Sequence, residues 1–205
     1  DGVARGVALY FSASGELTVD VPEQEVAWGR VDSPALDILR IGSTEQPVLD
    51  KDGDDLRIDW GHAYVAASKS QASTYAGSFD TAIQAFTTGG AVPPSDDSRG
   101  PRAAGDDLPV LAAAFDLGSV TERASRRITV AYDDEYSIEY MGQRLRPYWR
   151  RKGMAAVELL ETSEREADGL AARCARFDEE LVEDLTRMGG AKYARLCALA
   201  YRQAQ

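Results

Sequence analysis

The sequence has little cysteine, little histidine and no long hydrophobic run. Its 205 residues include 2 cysteines and 1 histidine. Apolar runs reach only six residues, as at Val110–Phe115, whereas a helix that crosses a bilayer needs about 20. The sequence therefore predicts no membrane span.

The two cysteines give no sign of a metal site or a redox motif. Cys174 and Cys197 lie in helical sequence, without Cys-x-x-Cys spacing or a histidine at ligand spacing. We expect two buried free thiols, and a disulfide between them stays open as the alternative.

The acidic turn at 50–55 does not fit a calcium loop, because Gly53 is fourth rather than sixth and position twelve is Gly61. No phosphate-binding or dinucleotide-binding motif is present, so we expect neither a metal nor an organic cofactor.

Positive charge is also scarce in the first three quarters of the chain. The net charge is -11, and residues 150–205 hold 10 basic and 10 acidic side chains. The first 149 residues hold the other 13 basic and 24 acidic ones. This asymmetry indicates two folding units. It also argues against nucleic acid as a partner, because a phosphate backbone requires a positive surface.

Short strand-like segments separated by turn residues fill the chain up to about residue 130. Many short strands with such punctuation are typical of a β-sandwich, and we assign 1–130 to one. We also expect a short helix at Phe79–Thr87 and a mobile loop at Pro93–Asp107. The predicted strands are Val7–Phe11, Leu17–Val21, Glu25–Arg30, Asp37–Ile41, Asp55–Trp60, Ala63–Ala67, Val110–Asp116 and Arg126–Val130.

After Gly153 the apolar period becomes helical. An apolar stripe from Leu170 to Leu185 predicts one helix, Gly189-Gly190 its end, and Tyr193–Tyr201 a second helix. Two helices joined by a tight turn form a hairpin, which exposes too much apolar surface to be stable without partners. The predicted class is therefore α+β multidomain: an antiparallel sandwich at 1–130, then a junction and a first helical hairpin at 131–205, expected to be part of a longer protein.

The densest chemistry lies in YDDEYSIEYMGQRLRPYWRR, residues 132–151. Neighbouring carboxylates can separate their pKa values into an acid and a base, but carboxylates also pair with arginines. An ion-paired junction and a ligand-contacting role both remain open. His62 is expected to be structural, since no nucleophile is identifiable beside it. The acids are Asp133, Asp134 and Glu135, and the arginines are Arg144, Arg146, Arg150 and Arg151.

This segment, together with FDEELVEDLTRMGGAKYARLCALAYRQ at 177–203, resembles the glutaminase A family. EVAWGR at 25–30, ILRIG at 38–42, DDLRIDWG at 54–61 and PVLAAAFDLG at 109–118 fit the same resemblance. It implies an N-terminal β-sandwich followed by a six-hairpin α/α toroid, and hydrolysis of L-glutamine to L-glutamate and ammonia. It also implies a secreted or periplasmic location, although the chain shows no leader. Family members continue through the rest of the toroid, so we expect this chain to be inactive alone.

The resemblance places no catalytic residue on this chain, so the candidates come from the segment itself. In amide hydrolysis a carboxylate would activate water, and a cation or an amide donor would stabilise the tetrahedral oxyanion. We therefore select Asp133, Asp134 and Arg146 as catalytic candidates. The candidates for ligand contact are Tyr132, Tyr136, Tyr148 and Trp149. The expected partners are a small-molecule substrate, glutamine or a glycan, and the remainder of the toroid.

Two other functions stay open. A sandwich joined to a helical toroid is common in carbohydrate-active proteins, whose glycosidases use two carboxylates across a sugar-sized cleft. Alternatively, the sandwich only supports or oligomerises a catalytic toroid.

Overall fold

A computed structural model describes residues 3–51, 53 and 57–203 of the chain. The chain divides into two compact units, Asp1–Glu161 and Thr162–Gln205. The described elements, in chain order, are β1 Arg5–Ser14, β2 Glu25–Val31, β3 Leu36–Ser43, β4 His62–Ser68, β5 Ser73–Ser78, α1 Phe79–Gly89, β6 Arg102–Ala103, β7 Pro109–Val120, β8 Thr129–Asp133, β9 Ile138–Tyr140, β10 Gln143–Leu145 and α2 Ala156–Gln203, with 3-10 turns at Gly15–Thr18 and Tyr148–Lys152.

The first unit is built on two antiparallel sheets. One has the order β1-β7-β5 and the other β6-β2-β3-β4-β8, while β9 and β10 form a separate two-stranded ribbon. One buried cluster takes side chains from both large sheets, including Leu39 and Val65 from one and Ala76 and Leu111 from the other. Burial of two inner faces against each other is the defining contact of a sandwich. The predicted α+β class with an antiparallel sandwich is confirmed at this level.

Each large sheet is also covered on its outer face. Helix α1 packs Ala82 and Phe86 against the outer side of the three-stranded sheet. The first turns of α2 place Leu160, 1% exposed, against Ile38 and Tyr64 on the five-stranded sheet. Strands buried on both faces lose the polar–apolar alternation of a one-sided strand. This explains why β7 reads in the sequence as the continuous run Val110–Phe115.

Most predicted strands overlap observed ones. The short strands β6, β9 and β10 were not predicted, and three other differences follow. Leu17–Val21 is not a strand, because Ser14 caps a 3-10 turn there by accepting from the Glu16 N–H. Strand β5, Ser73–Ser78, was not predicted, because its small and polar residues lack the usual strand composition. Much of the predicted strand Asp55–Trp60 lies outside the described residues, and its described part is not in a strand.

The predicted mobile loop at 93–107 is instead fastened by charge. Asp97 accepts from Arg99 at 2.6 Å and pairs with Arg102 at 3.2 Å. Arg102 also stacks on the Trp28 ring, 5.0 Å from its centroid. Asp96 pairs with Arg30 of β2 at 2.7 Å. The loop is polar in sequence because its contacts with the sandwich are ionic, not because it lacks contacts.

The second unit is a helical hairpin. Helix α2 changes direction at Gly190, whose φ of 80° and ψ of 174° are not helical. The rings of Phe177 and Tyr201 then meet at 5.9 Å, although 24 residues of straight helix would span about 36 Å. The predicted hairpin turn is thus present at Gly190. No described helix is long and apolar enough to cross a membrane.

Of the prediction of two buried free thiols, the free state agrees with the structure and the burial does not. Both thiols are free, but Cys174 is exposed and Cys197 is only partly buried. The described part of this unit buries only one side chain, Ala194, at 2% exposure. The apolar stripe that predicted the helix is therefore not covered by the hairpin itself.

Glycine substitutions test how the edge of the larger sheet is held. Gly61 has φ +83°, and a Cβ there would overlap the Asp133 carbonyl oxygen and lie 2.8 Å from the Asp134 Cα. Gly118 has φ +59° with open space around it. We expect Gly118→Ala to lower the free energy of unfolding by about 1 kcal/mol, and Gly61→Ala by at least about 2 kcal/mol more because backbone must move. Urea unfolding of the two variants measures the difference, and equal losses would contradict it.

The loop at 93–107 makes stability depend on pH. Hydrogen bonds from Arg99 hold the pKa of Asp97 well below its usual value. A lowered folded-state pKa gives stability that is present above the unfolded value of about 3.9 and is lost as the pH falls further. We expect Asp97→Asn to be less stable than wild type at neutral pH and to lose less stability between about pH 5 and pH 2. The exposed Asp106→Asn is the matched control, and its urea midpoints should follow those of wild type.

Candidate functional site

Residues 132–151 are fixed to the sandwich at both ends. Tyr132 and Asp133 finish β8, the edge strand of the five-stranded sheet, where Asp133 pairs in register with His62 of β4. The ribbon β9-β10 then projects, and its turn uses positive φ angles at Met141 (50°) and Gly142 (73°). The chain returns through the 3-10 turn at Tyr148–Lys152. The segment is therefore an excursion from the sheet that closes back on its starting strand.

An ion pair closes this excursion. Asp133 is 5% exposed, and its Oδ1 accepts from Arg150 Nε at 3.0 Å while its Oδ2 accepts from Arg150 Nη2. Two parallel bonds from one guanidinium are the strongest form of this contact. The hydrogen bond to Asp133 raises the pKa of Arg150. Both carboxylate oxygens of Asp133 are therefore occupied, and this side chain holds the end of the segment to β8.

The next two acids form a tight turn. The Tyr136 N–H donates to the Asp134 carbonyl at 2.5 Å across Glu135, whose φ is 57°. Such three-residue turns with positive φ are rare and strained. The same Asp134 carbonyl accepts from the Trp60 indole at 2.9 Å, and its side chain accepts from Ser137 at 3.0 Å. Asp134 is thus held by main chain and side chain, while Glu135 is left exposed.

Tyr132 lies on β8, and its side chain is on the inner face of the five-stranded sheet. Its hydroxyl donates to the Trp60 carbonyl at 2.5 Å, so Trp60 accepts from Tyr132 and donates to Asp134. Burial, with the nearby charges of Asp134 and Asp59, raises the pKa of Tyr132 well above its usual value. The hydroxyl stays protonated and serves as a fixed donor from β8 to the chain just before β4.

The other aromatic candidates stack on arginines. The Arg146 guanidinium lies 5.4 Å from the Tyr136 ring centroid, and Arg150 lies 4.7 Å from that of Trp149. Arg151 lies 3.5 Å from the Tyr148 ring centroid, although Tyr148 is 77% exposed. Each ring therefore has a cation on one face. Among the described contacts, Arg146 contacts Tyr136 and no candidate acid, so the structure does not join Asp133, Asp134 and Arg146 into one cluster.

The family of the domain of unknown function DUF5127 matches residues 1–184. The chain belongs to this family. No curated protein and no solved structure matches the chain significantly. The DUF5127 match covers the two sheets, the segment at 132–151 and the first limb of the helical hairpin.

Sequence reasoning singled out His62 as structural and missed Arg40 and Tyr64, which lie near it on the outer face of the sheet. In the DUF5127 domain, strand register places Arg40 of β3 opposite Tyr64 of β4, and His62 opposite Asp133 of β8. Burial and the Arg40 charge lower the pKa of His62, which is therefore neutral at pH 7. Arg40 and Asp133 are far in sequence from His62 and Tyr64, and the strand register brings them beside this pair. Among the described residues no group of three or more His, Cys, Asp or Glu side chains could hold a metal ion.

Removing the charge of Asp133 should weaken the attachment of residues 132–151 to the sheet. Asp133→Asn leaves the partly buried Arg150 guanidinium without its anion, and we expect the free energy of unfolding to fall by about 2–3 kcal/mol. Glu135→Gln is the control, since that side chain is exposed. Urea denaturation measures both, and a Glu135→Gln loss equal to that of Asp133→Asn would refute the anchoring role.

Proposed function

We propose that this DUF5127 domain is the sandwich-bearing part of a glutaminase-like amidohydrolase, which converts L-glutamine to L-glutamate and ammonia, and that the domain alone is inactive. The resemblance of residues 132–151 and 177–203 to the glutaminase A family supplies the reaction. The proposal places the catalytic groups in the helical toroid that this family implies. The location proposed with it is secreted or periplasmic.

The observation that carries the supporting role of the sandwich is the state of Asp133. A general base must be free to accept a proton from water. Both oxygens of Asp133 are bound by Arg150, and Asp134 is tied to Ser137. Two of the three neighbouring acids, Asp133 and Asp134, are thus held by contacts of the segment, which supports the junction role over the catalytic one.

The helical hairpin supports the same proposal. Leu196 is 66% exposed and Leu199 is 55% exposed, and Ala194 is the only buried residue among those described in this unit. Helices in water gain most of their stability from burial of an apolar face. Further toroid helices that cover this face would provide that burial.

Ammonia release from L-glutamine tests the proposal. We expect release by a longer protein that contains this domain and the toroid, and none by residues 1–205 alone. In the longer protein, Asp134→Asn should change kcat/KM by less than about threefold, because Asp134 acts through its turn rather than on substrate. Its control is Asp106→Asn, at an exposed position of the loop at 93–107.

Three outcomes would contradict parts of this proposal. Activity of residues 1–205 alone would refute the supporting role. A loss of more than about 100-fold in Asp134→Asn, with unchanged stability, would restore Asp134 as a catalytic residue. Inactivity of the longer protein on L-glutamine would refute the substrate.

A second candidate is carbohydrate recognition, which the exposed rings of the segment favour. Tyr140 is 61% exposed on the ribbon, and Tyr148 is 77% exposed. Exposed aromatic rings offer apolar faces on which sugars can pack. A glycan panel with Tyr140→Ser as the variant tests this function; binding that the variant retains would exclude the ribbon as the contact.

A further inference from the structure

One end of the outer face of the five-stranded sheet is polar. Its side chains make none of the hydrogen bonds described above for residues 132–151. Arg40 and Tyr64 are directly paired across β3 and β4, and His62 lies two residues from Tyr64 on the same face. The apolar end of this face is covered by the first turns of α2. The polar end therefore groups a guanidinium, a phenol and an imidazole on adjacent strands of a rigid sheet.

Arg40 differs from the paired arginines of the first unit. Arg30 binds Asp96, Arg99 binds Asp97, and Arg150 binds Asp133. Arg40 is exposed, is paired in register with Tyr64, and among the described residues forms no ion pair with a carboxylate. A guanidinium presents several donors in a planar fork that fits a carboxylate. Tyr64 carries a phenol and no carboxylate, so it does not neutralise the guanidinium.

Small residues leave room beside this guanidinium. Gly29 of β2 is the partner of Arg40 in register, and a Cβ added at Gly29 would meet no atom within 4 Å. On the other side, Gly42 is pressed against His62, since a Cβ there would lie 2.6 Å from the imidazole Cδ2. The imidazole thus lies against the main chain of Gly42, and open space lies over Gly29, the register partner of Arg40.

The charges around Arg40 and His62 are compatible with a bound anion. Asp133 acts on His62 from β8, but Arg150 neutralises it. Glu135 is the other carboxylate that acts on His62, and it is exposed, so solvent and salt screen it. A neutral imidazole carries one N–H donor, which adds to the donors of Arg40.

We propose that Arg40, Tyr64 and His62 form a binding site for a small carboxylate, with the Arg40 fork as the charged contact and the His62 N–H as a second donor. The proposal depends on the geometry of β2, β3 and β4 and stands apart from the glutaminase reaction. L-Glutamate and L-glutamine both carry a carboxylate, so either is in the class that this site would take.

The single histidine gives a direct readout, because the imidazole proton signals of His62 need no assignment. The experiment follows these NMR signals in residues 1–205 at about pH 7.5, where the imidazole is neutral. Acetate is titrated at constant ionic strength against chloride, and acetamide serves as the uncharged probe of the same shape. We expect a saturable shift with acetate and none with acetamide or chloride.

Arg40→Gln should abolish the acetate shift, or weaken the binding by at least about tenfold. Arg40→Lys keeps the charge but not the fork, and should bind more weakly than wild type. Arg123→Gln is the matched control, because Arg123 is also exposed and lies outside this face. Circular dichroism checks that each variant is folded, which we expect because the substituted side chains are exposed.

Three results would overturn the proposal. A shift of equal size with chloride would show general screening. An acetate shift that persists in Arg40→Gln would remove Arg40 from the site. Equal weakening in Arg123→Gln would show that only net charge matters. None of these results depends on ammonia release, so the site and the glutaminase reaction can fail separately.

Discussion

The ion pair between Asp133 and Arg150 is the contact on which the densest segment of this DUF5127 domain depends. Arg150 lies 17 residues after Asp133 and binds both of its oxygens. Without this pair, the 3-10 turn would lose the described side-chain contact that joins the end of the segment to β8. A buried ion pair costs desolvation, and it stabilises mainly when its geometry is good and its remaining bonds are satisfied. Asp133 meets this condition, since it also accepts from the Glu135 N–H at 3.2 Å.

Ion pairs also hold other loops of the sandwich in place. The loop at 93–107 is fastened through Asp96 and Asp97, and Lys51 reaches Asp59, 1% exposed, at 2.7 Å. A net charge of -11 would destabilise a compact fold if its carboxylates only repelled each other. Several of them are instead paired with arginine or lysine where a loop meets a sheet. The acidity of the first unit thus contributes specific contacts. Arg40, an exposed arginine without a carboxylate partner among the described residues, stands out against it.

The two units differ in how they are stabilised. The sandwich has buried clusters on the inner faces of its sheets and on part of each outer face. The hairpin after Glu161 has one buried residue among those described. Its helices follow from local apolar period and from the Gly190 turn, while their stability requires apolar surface from outside the hairpin. This contrast is the physical basis for placing a supporting role in the sandwich and further packing on the helices.

The sequence by itself determined the class, most strands, α1 and the turn at Gly190, because period, turn residues and helix breakers act locally. It also placed the acids and arginines of 132–151 in one segment. It could not decide which of four arginines binds Asp133, since spacing within a loop does not fix side-chain direction. It missed β5, whose residues are strand-like only in the sheet. The position of Arg40 beside Tyr64 and His62 was decided by strand register, because pairing of β3 with β4 joins residues that no local pattern connects.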